Sequence, residues 1–303
     1  MSASALYNSR DTECYAQIFQ IESFIRLLVR WELKGKNGLS WKSGLSQDLI
    51  SEADKRKQQE LDLGCVDAIS SNLLSYLSLS ELKDVLVSPA LWDTCFKASW
   101  GAQDIVLSDF KRLIAVRNKV AHFRSVSQRD FRLVERFHED LNYRTRNYDF
   151  ARSTIRRINV ENYKELGGEL ADDALVLAAI EVIAGIGGFE TNQAVIHSLG
   201  SHWGLEIHVE AGSIDGEQFL AFISQFHKAI SVCRIGSLGE KLEVQFSKKI
   251  PIDKAKQLVT QSVSLISNVV SGISSDESKD LYQINMREDV LPWEFEFPSS
   301  YKS

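Results

Sequence analysis

Between Cys14 and Lys34 the apolar residues Ile18, Ile21, Ile25, Leu28 and Val29 recur at three- and four-residue intervals, with Phe24 and Trp31 close by. That spacing predicts an amphipathic helix ending near Gly35. Gly35 to Gly44, with Asn37-Gly38 and Trp41, reads as a loop whose tryptophan folds back on the helices. A mostly polar helix follows from Gln47 to Leu63, and another from Asp67 to Tyr76. Ser80 precedes Leu82, Val85 and Leu86, so it is expected to cap a short helix with Glu81 and Asp84 in its first turns. Pro89 stops that helix, and Leu91 to Trp100 forms the next, presenting Leu91, Trp92, Cys95, Phe96 and Trp100 to a core.

Ser108 is the expected cap of a helix whose apolar side carries Phe110, Leu113, Ile114, Val116, Val120 and Ala121. Ser127 then opens a last helix with Phe131, Val134, Phe137, His138 and Leu141 at helical intervals. No sustained strand pattern precedes residue 200, so the first part is expected to be all helical, closing between Asp149 and Ile158.

Beyond it the pattern changes. Leu170 to Ile186 reads as an apolar helix, and after Gly187-Gly188 a further helix is expected from Thr191 to Leu199. Leu205, Ile207 and Val209 alternate with Glu206, His208 and Glu210, the two-residue period of a half-buried strand. Leu242, Val244 and Phe246 repeat it against Glu243, Gln245 and Ser247. Helices are expected at Asp215 to Val232 and Asp253 to Val270. The fold class is therefore α+β: an all-helical bundle over residues 1–155, then a smaller mixed α/β domain over 156–303. A chain of 303 residues is long enough for two cores. The tail from Leu291, with Trp293, Phe295 and Phe297, is aromatic and aperiodic, suited to strapping onto the fold or docking on a partner.

Composition narrows the function classes. With 44% hydrophobic and 25% charged residues and 4 prolines, the chain is of globular type. The most apolar run, Ala174 to Phe189, is broken by Glu181 and three glycines and is too short to span a bilayer. With no secretory leader pattern either, a cytoplasmic location without membrane attachment is expected. Cys14, Cys65, Cys95 and Cys233 form no CxxC, so burial as small hydrophobes is expected rather than metal or redox chemistry. His138, His197, His202, His208 and His227 lack metal-ligand spacing, and no cofactor or metal is expected.

The net charge of -6 hides a division: residues 111–157 hold 13 Lys/Arg against 5 Asp/Glu, while 158–303 hold 11 against 21. A polyanion responds to the local field, not to the sum. The basic stretch contains Arg117-Asn118-Lys119-Val120-Ala121-His122. Five helical residues separate its ends by about 500°, so Arg117 and His122 lie roughly 140° apart in projection, not on one stripe. Two copies packed about a twofold axis would bring both Arg/His sets to one cleft.

The chemistry such a cleft suits is RNA cleavage without a metal. An imidazole exchanges protons near neutral pH, so His122 is the candidate for taking the 2'-hydroxyl proton or protonating the 5'-oxygen. Arg117 offers planar donors to the scissile phosphate, and Asn118 can fix the imidazole or the nearby backbone. Arg112, Lys119, Arg124, Arg129 and Arg132 are the candidate RNA-binding residues around it. The bland alternatives are a satisfied core histidine at His122, an Arg117 ion pair with Asp109 or Glu135, and an arginine run that is only a solvated face.

The segment Leu113-Ile114-Ala115-Val116-Arg117-Asn118-Lys119-Val120-Ala121-His122-Phe123-Arg124, with the helical segments before it, resembles the HEPN superfamily over about residues 10–150. Arg117, Asn118 and His122 match its hallmark of an arginine, a polar residue, a short spacer and a histidine. The resemblance implies a dimeric endoribonuclease whose site draws on both chains. It also implies a toxin or effector in antiphage defence or a toxin–antitoxin pair, with a controlling partner protein. A non-catalytic scaffold or RNA- or protein-binding module is the alternative. Residues 156–303 resemble no family; their architecture suggests a sensing, regulatory or partner-binding part, and their acidity suits them to cover the basic cleft.

Overall fold

The computed structural model describes residues 9–64, 72–152, 157–159, 193–208, 213–214, 216–235 and 241–267. It has an N-terminal helical bundle followed by a smaller sheet-and-helix region, a mixed α+β architecture. Helix α1 (Ser9–Asn37) buries Ile18, Ile21, Ile25, Leu28 and Val29. It passes through Gly35, and the expected loop is a 3-10 turn (Gly38–Gly44) that does return Trp41 to the core. Helix α2 (Gln47–Asp62) buries Ala53 alone. Of the helix expected at Asp67 to Tyr76, only residues 72–76 fall among the described residues, and there Asn72 caps a 3-10 turn, Leu73–Tyr76.

Helix α3 (Leu79–Leu86) is capped by Ser78, not Ser80. Ser78 Oγ accepts from the Glu81 amide while Glu81 accepts from the Ser78 amide, the reciprocal capping box that Ser80 cannot form from inside the first turn. Arg56 locks it, sending two guanidinium nitrogens to the two Glu81 oxygens, 2.8 Å each. Pro89 opens the next helical run: α4 (Pro89–Leu91), a π turn (Trp92–Phe96) and α5 (Lys97–Trp100). Helix α6 (Gln103–Ala121) starts one and a half turns earlier than Ser108, which lies inside it. Helix α7 (Gln128–Arg152) does start at Ser127, whose hydroxyl and Asp130 cap each other.

The second region holds an antiparallel sheet of five strands in the order β1 (Arg157–Asn159), β2 (Gln193–Leu199), β3 (His202–His208), β6 (Lys241–Ser247), β5 (Ile230–Ile235). A smaller pair joins β4 (Ser213–Ile214) to β7 (Ile266–Ser267). Helices α8 (Gly216–Phe226) and α9 (Ile252–Ser264) complete it. Four sequence expectations fail here, one of them the helix expected from Asp253 to Val270, which ends at Ser264 because Ile266 and Ser267 pair with β4. Gln193–Leu199 is a strand and not part of a helix, because Gly200 takes φ 60° and, with Ser201, returns the chain directly into β3. The helix expected to reach Val232 stops at Phe226, and β5 follows after three residues. Strands β1 and β2 both precede residue 200. The helix expected at Leu170 to Ile186 and the tail from Leu291 lie outside the described residues.

Strands β3 and β6 are not half-buried: His202 through Ile207 and Leu242 through Ser247 are all buried. Their polar side is one face, since His202 pairs with Ser247, Gly204 with Gln245 and Glu206 with Glu243. That face docks on the C-terminal half of α1. Trp31 stacks on His202 (centroids 4.1 Å, 21°) and donates its indole N–H to Gln245 at 2.9 Å. Ser247 donates to the Gly35 carbonyl at 2.7 Å, and Lys34 to the Ile230 carbonyl at 2.6 Å, beside the bulge that shifts the β5–β6 register between Ile230 and Val232. Buried polar groups must find partners, so an alternating strand reads as half-solvated although its polar side meets a polar stretch of helix.

Cys14 and Cys233 are buried as expected, and burial raises both thiols, Cys14 to about 11. Cys95 is half-buried and donates to Glu32 at 3.2 Å, while Cys65 lies outside the described residues.

Candidate functional site

Helix α6 ends in a Schellman motif. The Phe123 amide donates to the Val120 carbonyl and the Arg124 amide to the Lys119 carbonyl, each at 2.9 Å. The motif needs a left-handed residue after the cap, usually glycine; here it is Phe123, with φ 53° and a side chain 93% exposed. His122 is the C-cap itself, its amide held by the Asn118 carbonyl. Its imidazole is exposed and, among the described residues, has no hydrogen-bond partner. The core-histidine alternative is therefore set aside. Asn118 is exposed as well, and only its backbone carbonyl reaches His122.

Arg117 pairs with neither Asp109 nor Glu135. Its Nε lies 3.6 Å from Glu22 on α1, and Asp109 instead takes Arg144 at 2.8 Å. Glu22 is shared, because its other oxygen takes Arg26 at 2.8 Å. Arg26 also donates to the Leu74 carbonyl. Burial lowers the Arg26 pKa, Glu22 opposes that, and Arg117 adds to the lowering by repulsion. These groups line a groove of about 180 Å³ between α1 and the end of α6, walled by Tyr15, Phe19, Val120 and Ala121. His122 follows directly on Ala121, the last residue of that wall. Tyr15 and Phe19, one helical turn apart, are 59% and 62% exposed.

The remaining candidates divide. Lys119 is tied to Asp130 at 2.9 Å, an interaction that, with the Ser127 hydrogen bonds, outweighs desolvation and lowers the Asp130 pKa. Arg124, Arg129 and Arg132 are exposed around the helix end. Arg112 points elsewhere, into a second groove between α6 and α7. Sequence reasoning missed Glu22 and Arg26, although their i,i+4 spacing on the polar side of the first helix was a visible signal. The described contacts of the acidic second region with α1 fall at Trp31 to Gly35, nine or more residues from Glu22, about 14 Å along the axis.

Among the described residues no group of three His/Cys/Asp/Glu side chains is placed to hold a metal, and no helix is long and apolar enough to cross a membrane. No family model matches the chain, and neither a curated protein nor a solved structure does.

Proposed function

We propose that the chain is a metal-independent endoribonuclease with a HEPN-like first part, working as a homodimer in the cytoplasm. Its service is that of a toxin or effector in antiphage defence or a toxin–antitoxin pair. The observation that carries the reading is the His122 imidazole, exposed and without a partner among the described residues, at the end of a helix whose Arg117, one and a half turns back, lines a groove together with Arg26. One imidazole removes the 2'-hydroxyl proton and the 2'-oxygen attacks phosphorus. The bond from phosphorus to the 5'-oxygen breaks, and a second imidazole supplies that oxygen with a proton. The products are a 2',3'-cyclic phosphate and a 5'-hydroxyl. Arg117 holds the phosphate and offsets the charge that builds on it.

One chain has one such histidine, so the second is the partner copy's. Tyr15 and Phe19 are the apolar surface on which a second copy would seat beside the groove. The test is total cellular RNA incubated with wild type and with His122→Ala, in the presence of EDTA. Wild type leaves cyclic-phosphate ends, whereas the variant, unchanged in circular dichroism, is slower by at least about 100-fold. Undiminished cleavage by His122→Ala overturns the assignment. Sedimentation is expected to show a dimer that Phe19→Glu splits, with cleavage lost in parallel.

A further inference from the structure

The second groove, between α6 and α7, is the larger: about 440 Å³, with Trp100 and Gly101 also in its lining. Its α6 wall is Ile105, Asp109 and Arg112, at helical spacings of four and three. Its α7 wall carries Phe137, which is held from behind by the Phe110 edge at 5.1 Å, and Tyr143, which is 68% exposed. Trp100 is 4% exposed, and its indole N–H is buried without a hydrogen-bond partner among the described residues. An N–H closed off in this way is out of a ligand's reach, so Trp100 serves the groove as wall alone.

The charges at the mouth are not balanced internally. Arg144 and Asp109 satisfy each other at 2.8 Å. Arg112 is exposed and has neither an ion pair nor a hydrogen bond among the described residues. Arg136 is 84% exposed and only 3.9 Å from Asp140, beyond hydrogen-bond length. Two guanidinium groups thus keep their donors available beside an aromatic and aliphatic wall. A purely apolar ligand would leave both cations unused, and a bare anion would leave the aromatic and aliphatic wall unused.

We propose that this groove binds a nucleotide unit: a nucleobase against Tyr143 and Ile105, and its phosphate on Arg112 and Arg136. Stacking of bases on aromatic faces and forked arginine contacts to phosphate are the interactions these side chains supply. The unit is either a free nucleotide or one nucleotide of an RNA strand whose remainder reaches the end of α6. The assignment stands apart from the nuclease reading, because binding here and cleavage at His122 are read separately.

Calorimetric titration of the His122→Ala chain, which leaves RNA intact, tests it with AMP, inorganic phosphate and a ten-nucleotide single-stranded RNA. AMP or the RNA is expected to bind at least about tenfold tighter than phosphate. Arg112→Ala and Tyr143→Ala, both at exposed positions, each weaken that binding about fivefold or more. Binding of both AMP and RNA identifies a free-nucleotide pocket, and binding of RNA alone identifies a strand subsite; either upholds the proposal. No binding by AMP or RNA, equal affinity for phosphate and AMP, or unchanged affinity in both surface variants overturns it. Cleavage by the wild type in that last case leaves the nuclease reading standing.

Discussion

The Arg117 guanidinium and the Glu22 carboxylate face each other at 3.6 Å, while Glu22 gives its shorter contact, 2.8 Å, to Arg26. One carboxylate therefore serves two cations, and the buried one, Arg26, is repelled by the other. Arg117 is therefore poorly placed to stabilise the fold. Glu22→Gln is expected to destabilise the protein by about 1–3 kcal/mol in urea denaturation, since Arg26 loses its counter-charge. Arg117→Ala is expected within about 0.5 kcal/mol of wild type while cleavage is lost. A large loss of stability in Arg117→Ala would make it a structural residue.

Glu81 sets an acid limit on the bundle. The Arg56 hydrogen bonds, aided by Ser78, hold its carboxyl near 2, below the ordinary 4.5. A depressed folded-state value contributes stability that is complete above the unfolded value and disappears as pH falls through the folded one. The window is therefore pH 4.5 down to 2. The loss is on the order of 2 kcal/mol, a figure discounted because Arg56 is 40% exposed. Glu81→Gln should be less stable at neutral pH and lose less than wild type across that window. Parallel pH profiles for the two proteins would show that the pair does not carry the effect.

At Gly35 the α1 backbone lies directly against the sheet, its carbonyl 2.7 Å from the Ser247 hydroxyl. A methyl there would stand 2.7 Å from His202 Nδ1 and closer still to the Ser201 hydroxyl. His202 cannot yield freely, because it is stacked on Trp31 and bonded to Ser231 at 3.1 Å. Gly35→Ala is expected to destabilise by about 1–3 kcal/mol through overpacking, and to raise hydrogen exchange at β3 and β6 before it does so in α6 and α7. Equal exchange throughout would place the strain elsewhere.

The same interface explains what the sequence could and could not reveal. Ile18, Ile21, Ile25 and Leu28 announced α1 because a helix against a core repeats every 3.6 residues. The run of arginines around His122 was equally visible, whereas neither the exposure of its imidazole nor the ion pair that holds Arg117 was. Glu22 lies 95 positions away, and pairing across that distance leaves no periodic trace. Gln193–Leu199 was misread because a short segment containing Ala, Val and Ile carries weak preference, and the hairpin with β3 decides its conformation. Gly200-Ser201 was the turn signal available for it. Capping was misplaced twice, at Ser80 and Ser108, because any serine before an apolar run is a plausible cap until the reciprocal acid three residues on is checked.

Phe123 carries the last prediction. Its left-handed backbone costs a bulky residue about 1–2 kcal/mol that glycine would not incur, and its exposed ring recovers none of this by burial. Phe123→Gly should therefore raise stability by about 1 kcal/mol, offset in part by the greater freedom of glycine in the unfolded chain. Phe123→Ala keeps the strained backbone and should change stability little. If the ring beside His122 stacks on a base of bound RNA, both variants weaken RNA affinity to a similar degree despite their different stabilities. Urea denaturation and RNA titration on the two proteins separate backbone strain from ring contact. A less stable Phe123→Gly would mean that the ring packs on the helix end in solution, and equal RNA affinity in all three proteins would remove Phe123 from the substrate surface.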